Sequence, residues 1–370
     1  MAPSEWIRSM SKVVSHVSKA WRKLRPYTDI SDISRRLKFN KIRSRYFRDM
    51  WARAAGNIGA TCTTTAYGFE EIGRDGLTTF VKQSQVMLDS QLTLNVAGEK
   101  GLTYELLERI GAPLPRYCRV EIDDLQAAYA FLKEHEFVVV KPAGGTGGGR
   151  GVTTGVATVE GLKSAARRAS RYSGELMIEE QVAGASYRLL YLGGTFIDAV
   201  RRDQPMVVGD GRSTVQQLIQ KANAAREKAD PVLALSPLVV DGDCRNWLSE
   251  NDITLASRPA KGEAVTVKRA VNQNDAGGNV NVRTMVHPDI VARCQDIVDR
   301  MGIELAGVDL MCRAIDQPFS DDNCWINEVN TTPGLHHHYL ISAPEDGAPV
   351  AEVILDYMFS KQVGTMRLGS

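Results

Sequence analysis

Glu328 and Asn330 stand two residues apart in the run INEVNTTPGLHHH (326–338), where a Pro-Gly turn separates them from three consecutive histidines. A carboxylate and a carboxamide are hard oxygen donors, and on a strand this spacing puts both on one face. A second strand-like run, GVDLM (307–311), carries Asp309, and the turn-rich DQPFSDDN (316–323) joins the two. A hairpin closed near residues 319–320 sets Asp309 nearly opposite Glu328, so three oxygen ligands converge. Such a set suits magnesium, which keeps water and substrate phosphates as its other ligands. Acids near strand ends are common, so the pattern gains meaning only with an independent partner.

That partner is VVVKPAGGTGGGRGV (138–152), an apolar strand-like run that delivers Lys141 and leads into five glycines among residues 144–149. Glycines let backbone N–H groups approach an anion closely and adopt positive φ, so phosphate is the natural guest. Neither GxxxxGK[ST] nor GxGxxG fits the spacing. The competing reading, a flexible linker, sits poorly one residue after a strand ending in Lys-Pro.

The elements that must position these residues alternate along the chain. FEEIGRDGLTTFV has an Asp-Gly between strand-like runs, a hairpin signal. EKGLTYELLERIGAPLP has the grammar of a helix stopped at Gly111, with Pro113 and Pro115 beyond. Strands are predicted at FVVVKPA, LMIEEQV, YRLLYL, FIDAVRR, AVTVKRAV, AGVDLMCRA and CWINEVN. Helices are predicted around 159–171, 214–227 and 349–359, with 230–260 irregular and polar. Strands and helices without strict βαβ rhythm predict α+β sheets in more than one domain.

The 370 residues, 43% of them hydrophobic, suffice for one large core or several smaller ones. No run approaches the roughly 18 apolar residues that cross a bilayer, and no secretory leader pattern opens the chain, so a cytoplasmic protein is expected. Cys62, Cys118, Cys244, Cys294, Cys312 and Cys324 lack CxxC spacing and read as reduced, structural thiols. The net charge is +1, yet residues 1–55 hold fourteen Lys/Arg against four Asp/Glu, leaving about −9 on the remainder. Trp6, Met10, Val13, Val17, Trp21 and Leu24 recur at helical spacing within that arm, and a second basic segment, 34–55, reads as helical too. Packing on the body or on a second subunit is its ordinary role. Contact with a membrane surface or nucleic acid, and a targeting peptide, are the alternatives.

Taken in this order, VVVKPAGGTGGGRGV, IEEQVAGASYRLLYLGG, AVRRDQPMVVGDGRSTVQQLI, GEAVTVKRAVNQNDAGGNVNV, GVDLM and NEVNTTPG resemble the ATP-grasp superfamily from about Thr93 to Tyr357. Within it, the resemblance is greatest to the ATP-grasp modules of cyanophycin synthetases and of fused glutathione synthetases. It implies an α+β fold in which two subdomains sandwich ATP. The expected division is a basic arm at 1–55, a small β-rich region at 56–92, a lid and nucleotide-binding subdomain at 93–184, and a catalytic subdomain at 185–360.

The resemblance also implies roles. Lys100 and Lys141 match the lysines on the ATP phosphates, and Gly145, Thr146, Gly147, Gly148 and Gly149 match the lid above them. Glu179, Glu180, Gln181 and Val182 match the linker strand that reads adenine, and Ser186 stands where the family usually has Asp or Glu on the ribose. Asp309, Glu328 and Asn330 match the ligands of two Mg2+ ions. Arg188, Arg201 and Arg269 are the cations placed to steady an acyl phosphate. D-alanine ligases have an arginine two residues before the magnesium-binding Asp; here that position is Gly307, which makes a distal arginine necessary, Arg269 first.

The implied activity is ATP-dependent joining of a carboxylate to an amine, giving a peptide or amide bond with ADP and phosphate, on an amino acid or peptide in small-molecule biosynthesis. With no second ligase module after residue 360, a single coupling is expected. A phosphotransferase, a carboxylate-thiol ligase and a non-catalytic nucleotide-binding regulatory subunit are the alternatives. A homo-oligomer is implied; nucleic acid is not an expected partner. His336, His337 and His338 follow the Pro-Gly turn, where related ligases hold the incoming nucleophile. On an extended segment, neighbours point to alternate faces, so His336 and His338 are the pair expected to bind the amine or take its proton. Zinc and plain packing are the other readings, and zinc sites usually draw on wider spacing.

Overall fold

The computed structural model describes residues 30–144, 149–230, 232–271 and 279–368. Helix α1 (Ile30–Asn57) leads into a three-stranded antiparallel sheet, β1 (Thr61–Thr64), β2 (Glu70–Arg74) and β3 (Leu77–Val81). Asp75 and Gly76 both have positive φ, 52° and 74°, the two-residue turn that an Asp-Gly hairpin favours. Phe47, Met50, Trp51, Ala54 and Ala55 recur at three- and four-residue steps and are buried, while Arg45, Arg48 and Arg53 stay exposed. The second basic segment is thus an amphipathic helix packed on the body. The first lies outside the described residues, as do Gly145, Thr146, Gly147 and Gly148 of the glycine loop.

The next unit comprises α2 (Gln91–Gly98), α3 (Lys100–Arg109), β4 (Tyr117–Glu121), α4 (Gln126–Glu134), β5 (Val138–Pro142), β6 (Thr153–Val156), α5 (Val159–Ala169) and β7 (Glu175–Glu180). Its sheet runs in the order β4-β7-β5-β6, all antiparallel, and its core closes against α4 and α5. Thr158 starts α5 by accepting a hydrogen bond from the Gly161 N–H, and Leu162, Ala165, Ala166 and Ala169 form the helix's buried stripe.

The remainder is β8 (Ala185–Leu192), β9 (Thr195–Arg202), β10 (Met206–Val208), α6 (Val215–Glu227), α7 (Gly242–Glu250), β11 (Ala264–Thr266), β12 (Val280–Asn281), α8 (Pro288–Met301), β13 (Leu305–Cys312), β14 (Cys324–Asn330) and α9 (Val350–Lys361). A five-stranded sheet, β12-β9-β8-β13-β14, forms the centre. One face packs on α8; Leu190, Leu192 and Leu305 of the other pack against α1 and α9. β10 and β11 make a small sheet with its own core against α6 and α7.

Four helices escaped the sequence pattern, α2, α4, α7 and α8. α7 lies within the stretch expected to be irregular, where Asp241 caps it by accepting from the Cys244 N–H. α8 has Pro288 at its start and a left-handed Gly302 at its end, signals the chain carried openly. α4 is short and Ala-rich. The expectation of free thiols throughout also needs correction, because Cys312 and Cys324 are joined as a disulfide. The β13–β14 register sets them directly opposite, Cα atoms 4.3 Å apart, a neighbourhood invisible in their sequence separation of 12. No helix among the described residues is long and apolar enough to cross a membrane.

Candidate active site

β13 and β14 pair with Asp309 directly opposite Glu328 and Gly307 opposite Asn330, so the hairpin read from the sequence forms in the expected register. β8 lies on the other side of β13 and puts Arg188 opposite Asp309. Period-2 alternation therefore gives one face of this sheet a row of Ser186, Arg188 and Leu190 beside Met311, Asp309 and Gly307.

Asp309 is buried and gripped from two sides. Arg188 donates from Nε to Oδ1 at 2.7 Å and from Nη2 to Oδ2 at 2.8 Å, and Arg202 Nη1 reaches Oδ2 at 3.1 Å. Burial pushes the Asp309 carboxyl up, but the two guanidiniums outweigh it and hold the group below the usual carboxylate range. Glu328 is ion-paired with Lys100, the first residue of α3. Burial pulls the Lys100 ammonium down, and Glu328, with Glu179 and Asp309 behind it, more than restores it.

One helical turn after Lys100, Tyr104 stands fully enclosed. Its phenol donates to Glu179 Oε1 at 2.6 Å and accepts from Lys141 Nζ at 3.0 Å, while Lys141 is also ion-paired with Glu179. Burial keeps the Lys141 ammonium below its ordinary pKa despite that partner. Tyr104 was not singled out in the sequence, although Lys100 and Tyr104 at i, i+4 on a predicted helix must share a face.

Lys100, Lys141, Glu179, Arg202 and Glu328 meet at a cavity of about 610 Å³ between the four- and five-stranded sheets, whereas Asp309, Asn330, Arg188 and Tyr104 are not among its lining residues. Lys100, Lys141, Gly149, Glu179, Glu180, Gln181, Val182, Ser186, Arg269 and Glu328 of the expected set line it. Glu180 supports the wall, accepting from the Arg116 backbone N–H at 2.8 Å. Gln181 Oε1 accepts from Gly155 N at 2.7 Å and from Arg269 Nη1 at 3.0 Å. Arg269 continues to Glu250 at 2.5 Å and stacks over Trp247, which also lines the cavity. Ser186 accepts from Arg202 Nη2 at 2.8 Å, and Asp203 and Gln204 share its wall, so a carboxylate does stand there, on the neighbouring strand's exit.

Arg201 is not brought to this cavity. It points to the opposite face of β9 and pairs with Asp203 at 2.7 Å, and its neighbour Arg202 takes the inward place because side chains alternate along a strand. Among the three arginines expected, Arg188 is the one on Asp309. A Cβ added at Gly307 would meet Pro333 at 2.7 Å and lie 3.5 Å from Arg188 Nε, so the Arg188 side chain runs alongside that glycine.

His336, His337 and His338 form a 3₁₀ turn (Leu335–His338) rather than an extended segment, and all three are buried. None lines the cavity. His338 Nδ1 lies 2.7 Å from Asp198, which also accepts from Asn281 at 2.9 Å. His336 packs edge-on against Phe47 of α1, ring centroids 5.7 Å apart.

No family model matches the chain. Among curated proteins, it is 29% identical over 275 residues to a cyanophycin synthetase of Nostoc sp., covering 73% of this chain and 30% of that one. It is 28% identical over 258 residues to the glutathione biosynthesis bifunctional protein GshAB of Pasteurella multocida, covering 68% and 34%. The chain thus spans about a third of the length of these relatives. A crystal structure of a bifunctional glutathione synthetase from Pasteurella multocida superposes with a TM-score of 0.54 at 23% identity, over 82% of this chain and 42% of that one. The fold is the ATP-grasp fold, and the chain resembles the ATP-grasp ligases.

Proposed function

We propose that this ATP-grasp chain is an ATP-dependent carboxylate-amine ligase, forming a peptide or amide bond on an amino acid or peptide through an acyl phosphate. The observation that carries it is Asp309 facing Glu328 across one strand pair, with Glu328 lining a cavity that Lys100 and Lys141 also line.

The donor set suits magnesium. Two carboxylates on one sheet face, with the Asn330 amide one step along it, are hard oxygen ligands. Each carboxylate is balanced by a cation, Asp309 by Arg188 and Arg202 and Glu328 by Lys100, as ionised acids in a largely enclosed place require. Magnesium held by Asp309, Glu328 and Asn330 would neutralise phosphate charge when bound.

A carboxylate resists attack by an amine because its oxygens leave poorly. Transfer of the γ-phosphoryl group to that carboxylate supplies a good leaving group, and the protein contributes position and charge. Lys100 and Lys141 hold phosphate oxygens. Tyr104 and Glu179 fix the Lys141 ammonium, and Glu179 to Val182 border the base. Arg202, which lines the cavity and reaches Asp309, is the arginine best placed to balance charge growing on the transferred group, with Arg188 on the same carboxylate; Arg269, tied to Gln181 and Glu250, orders the cavity wall.

The test is a phosphate-release screen of carboxylic acids crossed with amino acids, with product masses from the hits. A product of acid plus amine minus water, formed together with ADP, is the expected result. A phosphorylated or thioester product from every hit, or no ADP from any pair, would overturn the assignment.

A further inference from the structure

β6 is the edge strand of the four-stranded sheet, and it carries one residue more than β5 beside it: Val138 pairs with Val156, but Val140 with Thr153. The extra residue is a bulge at Thr154 and Gly155, where Gly155 takes a positive φ of 64°. A bulge on an edge leaves backbone groups without ladder partners. Here side chains satisfy them, and most come from helix α7.

Asp243 of α7 is fully buried. Its Oδ1 accepts from the Thr154 N–H at 3.3 Å and from the Thr154 hydroxyl, and its Oδ2 accepts from the Ala270 N–H at 2.9 Å. Asn246 Nδ2 donates to the Thr154 carbonyl at 3.1 Å, and Gln181 takes the Gly155 N–H. One carboxylate thus joins the sheet that carries Lys141 to the segment that carries Arg269.

The same helix face continues the tie. Trp247 and Glu250, at i+4 and i+7 from Asp243, both engage that second segment. The indole N–H donates to the Thr266 carbonyl at 3.0 Å, the ring packs against Arg269, and Glu250 pairs with the Arg269 guanidinium. Cys244 and Leu248 face the other way, into the core shared with β10 and β11. Thr154, Trp247, Arg269 and Ala270 all line the cavity, although Asp243 itself does not.

We propose that Asp243 is a positioning residue for the nucleotide: by holding Thr154 and Ala270 on one carboxylate, it fixes the spacing of two cavity-lining segments and so sets the affinity for ATP. Losing it strands two backbone N–H groups and a hydroxyl, and the segments part to find other partners. The proposal rests on the ATP-binding reading above.

The experiment titrates the full chain, with magnesium, against a non-hydrolysable ATP analogue bearing a β,γ-imido bridge, in a calorimeter. Binding stoichiometry counts folded chains, and Kd reports the geometry of the wall. Asp243→Ala is expected to raise Kd about 10- to 100-fold, the loss typical of hydrogen bonds to a charged group, at unchanged stoichiometry. Asp243→Asn, which keeps one acceptor oxygen, should raise it about three- to tenfold, and Asn246→Ala about threefold. Arg245→Ala, exposed on the same helix, should leave it as it is. Should Asp243→Ala not fold, Asp243→Asn and Asn246→Ala decide. A merely structural Asp243 would lower the stoichiometry and leave Kd alone, so a wild-type Kd in every Asp243 and Asn246 variant that binds overturns the role. A wild-type chain that binds no analogue overturns the ATP reading with it.

Discussion

The phenol oxygen of Tyr104 lies 3.0 Å from the ammonium of Lys141, with the charge also 4.9 Å from the ring centroid. A lysine this deeply buried needs its donors matched, and Tyr104 and Glu179 match them. Tyr104→Phe keeps the ring and deletes only the oxygen. It should lower kcat/KM for ATP about tenfold, the worth of one hydrogen bond to a charged group. Steady-state kinetics at varied ATP check this; an unchanged kcat/KM would make Tyr104 a packing residue alone.

Loss of a group that neutralises phosphate or holds the metal should cost far more. Lys141→Ala and Glu328→Ala are each expected to reduce turnover by about 100- to 1000-fold, the cost typical of removing one such electrostatic group. Chelation by EDTA should abolish ADP release and added magnesium should restore it. Retention of more than about a tenth of wild-type ATP consumption in either variant would speak against the assignment.

Neighbouring arginines on β9 should behave oppositely. Arg202, buried on Asp309 and Ser186, is expected to lose at least 100-fold in turnover on substitution by alanine. Arg201, half-exposed on Asp203, should lose less than about threefold, since exposed ion pairs contribute little. The two alanine variants assayed side by side decide it.

Acid should destabilise this protein partly through its histidines. Burial, with help from Arg43 and Arg188, holds His336 well below its ordinary 6.5; burial, then His336 and Arg188, does so for His337. Above pH 6.5 both rings are neutral, folded or unfolded. Below it the unfolded chain gains protons that the folded chain does not, so stability falls by up to about 1.4 kcal/mol per pH unit for each ring. His336→Phe keeps the edge-on contact with Phe47 and discards two buried nitrogens that have no hydrogen-bond partner among the described residues. Its denaturation free energy should therefore fall less steeply than the wild type's between pH 6.5 and 5, measured by urea unfolding.

The hairpin that brings Asp309 to Glu328 was legible because both its runs are apolar and the loop between them is turn-rich, and period 2 does the rest. Lys141 was legible as the end of a buried run before glycines, and the Asp-Gly turn as a backbone demand that few other residues meet. Helix α7 was not, since its first turn is set by the cap at Asp241 in a polar stretch whose apolar spacing gives little sign of it.

The sequence alone thus determined which residue types stand on which face of each strand, since alternation is local. Which faces meet is decided by packing between distant segments. Tertiary structure chose Arg202 over Arg201 by the pairing of β8 with β9. It put Arg188 beside the glycine where a related ligase has its arginine, and wound the three histidines into a buried turn under α1. The last two choices depend on contacts spanning more than a hundred residues, such as Arg188 with Asp309, which no local periodicity encodes.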